Sequence, residues 1–210
     1  MKNTLITLMV VLSMSSVLFA QENDSRSKFM FGIKAGTNYS NVYDSQGEKF
    51  AADSKFGFAA GAFFSIPFGK YIGIQPEVMY SQRGFKGSGV FLGSAYEFSR
   101  TTSYIDLPIF FAIKPIERLT LLVGPQYSYL LDQKDDFKSS TMTLQQAQAF
   151  TNDNIRKNTL CLVGGFDVNL GNVVLGARAG WDLQSNNGDG TSSNPRYKNA
   201  WLQGTFGFRF

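Results

Sequence analysis

Eight segments of this chain alternate apolar and polar residues with a period of two, and no apolar run after residue 20 is long enough for a spanning helix. Period two is the repeat of a β-strand, whose successive side chains point to opposite faces. In 29–40 one face carries Phe29, Phe31, Ile33, Ala35 and Tyr39, and the other carries Met30, Gly32, Lys34, Gly36, Asn38 and Ser40. Residues 55–66 set Phe56, Phe58, Ala60, Ala62, Phe64 and Ile66 against Gly57, Ala59, Gly61, Phe63 and Ser65. In 71–83, Ile72, Ile74, Pro76, Val78 and Tyr80 oppose Gln75, Glu77, Ser81 and Arg83. The same reading predicts strands over 103–114, 119–132, 159–170, 173–183 and 199–210.

The connections alternate in length. Residues 67–70, 115–118 and 171–172 are tight turns, whereas 41–54, 84–102, 133–158 and 184–198 are long and polar. An even number of strands joined in this way predicts an all-β fold, an eight-stranded antiparallel up-and-down transmembrane β-barrel with its short turns in the periplasm. About 11 residues at ~3.3 Å rise, tilted roughly 40°, span about 28 Å, which covers the ~25 Å apolar band of such a barrel. A soluble ligand-binding β-barrel has the same alternation turned inside out. Three features favour lipid outside: Gly and Ser on the polar faces; Glu77, Asp106, Asp167 and Arg178 in mid-strand; and Tyr39, Tyr80, Tyr129 and Trp181 near the loop ends. Pro76, Pro108 and Pro125 stand inside strands. Proline has no N–H to give to a ladder, so bulges or broken pairing are expected there.

Residues 1–20 carry Lys2, an apolar run over 5–12, and Leu18-Phe19-Ala20 ahead of Gln21, the layout of a secretory signal peptide. The expected division is signal peptide 1–20, periplasmic stub 21–28 and barrel 29–210. Cys161 is the only cysteine, which excludes an internal disulfide. The 20 Lys and Arg are scattered among 16 Asp and Glu, so a nucleic-acid partner is not expected. The chain has no histidine, which removes Ser-His-Asp and Cys-His catalysis and the HExxH zinc site. It has no phosphate-binding P-loop either. No enzymatic activity, cofactor or metal is expected.

What remains is charge inside a narrow barrel. Glu77, Asp106 and Arg178 sit on the polar faces of their strands. They are expected to form one structural ion cluster in the lumen, with Arg83 or Lys114 as further partners, because a poorly solvated charge needs an opposite one. The alternative is a catalytic carboxylate pair made by Glu77 and Asp106. Residues 186–190 contain a fragment of a calcium loop without its closing Glu and read as a surface turn. Residues 143–150 read as a loop with some local order in the third long connection, with a short helix as the alternative.

Residues 72–84 (IGIQPEVMYSQRG), 104–109 (YIDLPI) and 124–127 (GPQY), with Gly176-Ala177-Arg178-Ala179-Gly180, resemble the outer-membrane β-barrel family of Bacteroidetes labelled PorT-like or "porin family". The resemblance covers nearly the whole chain after residue 20. It implies the outer membrane as the location and makes the mid-strand prolines a family habit. Asp106 stands where the family pattern has a glutamate. Phe206, Phe208 and Phe210 resemble the C-terminal signal read by the barrel assembly machinery. The partners implied are outer-membrane lipid, that machinery through the last strand, and a secretion complex or an extracellular partner through the loops. The expected function is structural or interactive: a barrel displaying four surface loops, without an open pore, since eight strands enclose room for side chains only. An accessory role in a secretion machinery is the alternative, and a soluble ligand-binding barrel the weaker one.

Overall fold

A computed structural model describes residues 24–43, 52–91, 94–139, 155–187 and 197–210. The expected signal peptide and residues 143–150 lie outside the described residues. Eight strands follow in order: β1 Met30–Tyr43, β2 Ala52–Pro67, β3 Ile72–Phe91, β4 Ser94–Ile116, β5 Leu119–Ser139, β6 Asn158–Leu170, β7 Val173–Asp182 and β8 Lys198–Arg209. Each pairs antiparallel with its sequence neighbour, and β1 also pairs with β8, which closes the barrel.

Side chains sort by face as the alternation dictates. Ile33 and Leu202 are each 59% exposed on the exterior, while Lys34 and Arg178 are each 5% exposed and Glu77 3% on the interior. Apolar outside and charged inside is the reverse of a soluble ligand-binding barrel, and that alternative is overturned. The exterior also marks where lipid ends. Tyr80, Ile105 and Tyr129 form one cross-strand row. Beyond it, toward the long loops, the outward positions lose their apolar side chains and turn polar or small: Gln82, Ser103 and Asp132, then Gly84, Thr101 and Lys134.

Strands β3 to β5 do not stop at that row. The stretches 84–102 and 133–139, expected as loop, are mostly strand, and β3 runs eleven residues past Tyr80, to Phe91. At ~3.3 Å per residue that is about 36 Å of projecting hairpin. Gly, Ser and Lys on the outer face made the segment read as loop. Above the lipid a strand needs no apolar face, and its ladder continues as long as the neighbour does. A bulge between Ser103 and Tyr104 shifts the β4–β5 register, so Asp132 and Lys134 face out while Asp135 faces in toward Arg100. Inside the projection Val42, Phe85 and Tyr197 form a small core, with Ala52 and Phe98 packed against it.

The short-turn end is tied by the stub. Ser25–Ser27 make one 3-10 turn, capped by the Asp24 carboxylate, which accepts from the Arg26 backbone N–H. Arg26 NH1 donates to the Pro115 carbonyl, Lys114 Nζ donates to the Arg26 carbonyl, and Lys70 pairs with Asp24 at 3.0 Å. The Arg26 guanidinium beside Asp24 holds its carboxyl far below the usual carboxylate range.

Gly180 is required by close approach. A Cβ there would lie 2.3 Å from Cζ2 of Trp201, whose ring is packed inside the lumen. Gly180→Val is therefore expected to cost about 1–3 kcal/mol in urea unfolding from lipid, as overpacking does. Gly171→Ala, by contrast, changes an open turn where an added Cβ meets nothing within 4 Å, and its φ of 63° restricts the cost to backbone strain of about 1–2 kcal/mol.

Candidate functional site

The lumen is filled by two charge clusters stacked along the barrel. The lower one joins four strands. Glu77 on β3 accepts from Lys34 Nζ of β1 at 2.6 Å and from Arg178 NH1 of β7 at 3.1 Å. Arg178 NH2 also donates to both oxygens of Asp167 on β6, at 3.1 and 3.2 Å. Gln75 Nε2 bridges the two carboxylates, donating to Glu77 and to Asp167 at 3.0 Å each. Aromatic rings cover the cations: Lys34 lies over Phe63 at 4.7 Å and Arg178 over Phe110 at 5.0 Å. Two cations face two anions, so the cluster is neutral and each charge is paired where water is scarce.

The upper cluster centres on Arg83. Its NH2 donates to Asp106 Oδ2 at 2.5 Å, and Ser81 Oγ donates to the same oxygen. The guanidinium is sandwiched, 3.7 Å from the Trp201 ring and 4.8 Å from the Tyr104 ring. Nearby, Asp182 accepts from the Asn199 backbone N–H, from Asn199 Nδ2 and from the buried Cys161 thiol. Higher still, Arg100 makes a bidentate pair with Asp135 at 2.7 and 2.6 Å and donates to the Tyr197 hydroxyl at 3.0 Å.

Of the three residues expected to meet, Glu77 and Arg178 do and Asp106 does not. The register explains it. Asp106 lies opposite Met79, one inward position nearer the loop end than Glu77, and leans toward Ser81 and Arg83. Arg83 was a considered partner and takes the role for Asp106 alone. Lys114 stands apart, donating to Ser65 Oγ and to the stub at the short-turn end. Lys34, Gln75 and Asp167 were legible as polar-face residues, but nothing in the sequence says that β1, β3, β6 and β7 aim them at one point.

Both carboxylates of the alternative catalytic pair are spent on basic partners, and both are 3% exposed. A cavity of about 20 Å³ at the short-turn end, between Gln75, Lys114 and Asp167, has room for about one water. Among the described residues no group of three or more Cys, Asp or Glu is arranged to hold a metal ion. Asn186 is buried, its N–H donating to the Tyr197 carbonyl, while 188–190 lie outside the described residues. At the C-terminus Phe206 and Phe208 face out, and Phe210 stacks on Phe31 at 5.1 Å.

The family described as "Outer membrane protein beta-barrel domain" matches residues 19–186. Three solved structures are similar in fold. Ail, the attachment invasion locus protein of Yersinia pestis, solved with the heparin analogue sucrose octasulfate, is 16% identical, with 87% of this chain and 99% of that chain covered and a TM-score of 0.45. Neisserial surface protein A is 14% identical over 86% of this chain and 97% of its own, with a TM-score of 0.47. OprG from Pseudomonas aeruginosa is 14% identical over 90% and 99%, with a TM-score of 0.45. Likenesses this distant carry no argument about activity. No curated protein matches the chain.

The two-cluster arrangement makes a sharp expectation for double-mutant cycles in lipid vesicles. Arg178→Ala leaves two buried carboxylates short of a partner and is expected to cost about 3–5 kcal/mol. Arg178 and Glu77 should couple by about 1 kcal/mol or more, whereas Arg178 and Asp106, which share no partner, should be additive within about 0.5 kcal/mol. Strong coupling in the second cycle would show that the clusters are one.

Proposed function

The chain belongs to the outer membrane protein β-barrel domain family, and from that premise we propose that it is a non-conducting barrel whose work is done by the surface it presents outside the cell. It resides in the outer membrane with its apolar exterior in lipid. With the short turns periplasmic, as in such barrels, the β3–β5 projection faces outward. The observation that carries the reading is the division of labour along β3 to β5. Below the Tyr80–Ile105–Tyr129 row these strands carry Gln75, Glu77, Asp106 and Phe110 into a filled lumen, and Arg83, just above it, reaches down to Asp106. Above it the same strands continue as a polar-faced sheet. A lumen blocked by paired charges suits display and not diffusion, and the missing histidine supports a role without catalysis.

An accessory place in a secretion machinery is the second reading, favoured by the PorT-like residues 72–84 and 104–109. Co-purification of a stable complex from native membranes separates it from free display. We also infer that the mature chain begins near Gln21 and that Phe206, Phe208 and Phe210 direct its assembly.

Planar-bilayer recording of the refolded protein tests the main reading. No steady channels are expected. Channels of porin size would show the charge clusters to be passable and would overturn it.

A further inference from the structure

The barrel wall has two unlike halves. Pairing is continuous along five of its seams: β1–β2, β5–β6, β6–β7, β7–β8 and, closing the ring, β8–β1, apart from the fraying expected at strand ends. The other three are each interrupted in mid-strand. Between β2 and β3 pairing halts at Phe63↔Glu77 and resumes at Ile66↔Ile74, skipping Phe64 opposite Pro76. From β3 to β4 it halts at Pro76↔Ile109 and resumes at Met79↔Asp106, skipping Glu77 opposite Pro108. From β4 to β5 it halts at Pro108↔Gln126 and resumes at Phe111↔Val123, skipping Ile109 opposite Pro125.

Each of these three gaps contains one proline, and they lie side by side; the register shifts at Ser54/Ala59, Ser103/Tyr104 and Ile113/Ile116 lie nearer the barrel ends and are separate. Pro76 pairs with Ile109, and the register carries that row on to Pro125. Each proline lacks the N–H that its opposite carbonyl would have accepted. In a hydrocarbon layer no water replaces that donor. The wall from β2 to β5 is therefore poor in hydrogen bonds along one band.

The lower charge cluster stands directly behind that band. Gln75 and Glu77 lie on the interrupted stretch of β3, and their partners Lys34, Asp167 and Arg178 lie on β1, β6 and β7, in the continuous half. We propose that the cluster is a latch: side-chain bonds across the lumen hold a soft β2–β5 wall against a rigid one, so that loosening the latch opens the barrel on this side only.

Amide hydrogen exchange of the full chain in lipid nanodiscs, resolved by residue, tests it. In the wild type, amides of 64–66, 77–79, 109–111 and 123–124 should exchange at least about tenfold faster than mid-strand amides of β7 and β8. Glu77→Gln, which weakens the latch, should widen that contrast. Pro108→Ala, which returns a donor to the seam, should narrow it. Equal rates in the two halves of the wild type would overturn the proposal, as would an acceleration by Glu77→Gln that is uniform around the barrel. If Glu77→Gln does not fold, the comparison of wild type with Pro108→Ala decides alone: unchanged exchange at 77–79, 107, 109 and 110 in that variant refutes the soft seam.

Discussion

An eight-stranded barrel encloses a lumen only a few side chains wide, and that width governs everything placed in it. A charge there meets other side chains before it meets water. Isolated, it would cost several kcal/mol. The chain meets this constraint by placing opposite charges on strands that face one another across the axis or lie side by side. Lys34 and Arg178 reach Glu77 and Asp167, and Arg83 reaches Asp106 between two aromatic rings. The Lys34–Glu77 and Arg178–Glu77 contacts link strands that share no ladder, so they do in the lumen what a hydrophobic core does in a soluble protein, while Arg178–Asp167 and Arg83–Asp106 tie paired neighbours. A minor apolar patch, Phe110, Ala112, Leu122, Val163 and Trp201 with Cys161, joins them there.

Strand number, order and facing were legible in the sequence because lipid enforces them. An apolar residue on the exterior every second position is a requirement of the solvent, and it leaves its mark residue by residue. Strand length was legible only up to the lipid boundary. Beyond Tyr80 and Tyr129 nothing requires alternation, so Lys86, Ser88 and Lys134 look the same in a projecting strand as in a loop. The lumen was half legible. That Glu77, Asp106 and Arg178 point inward follows from parity alone. Which of them touch depends on register and on the height of each strand relative to those across the axis, and a single sequence holds no record of that. Asp106 was misplaced for this reason.

The mid-strand prolines show the opposite case, a sequence feature whose consequence was local and readable. A missing N–H leaves a gap on the side where it would have pointed, and each of the three gaps in the middle of the barrel falls on a proline. What could not be read was their alignment. Three prolines far apart in sequence reach one band because neighbouring strands are offset by the hairpin registers, so the wall's weakness is collective.

The placement of the two tryptophans has an optical consequence. Trp181 is 39% exposed on the outer face near the loop end, in the zone where bilayer meets water, while Trp201 is 4% exposed and lies against the Arg83 guanidinium. They sit on adjacent strands and report on opposite sides of one wall. During refolding into vesicles the emission of Trp181 follows arrival in the bilayer, and that of Trp201 follows the closing of the ring around Arg83. With one of them replaced by phenylalanine, the chain carries its own fluorophore for either event, and the interval between insertion and closure becomes a measurable time.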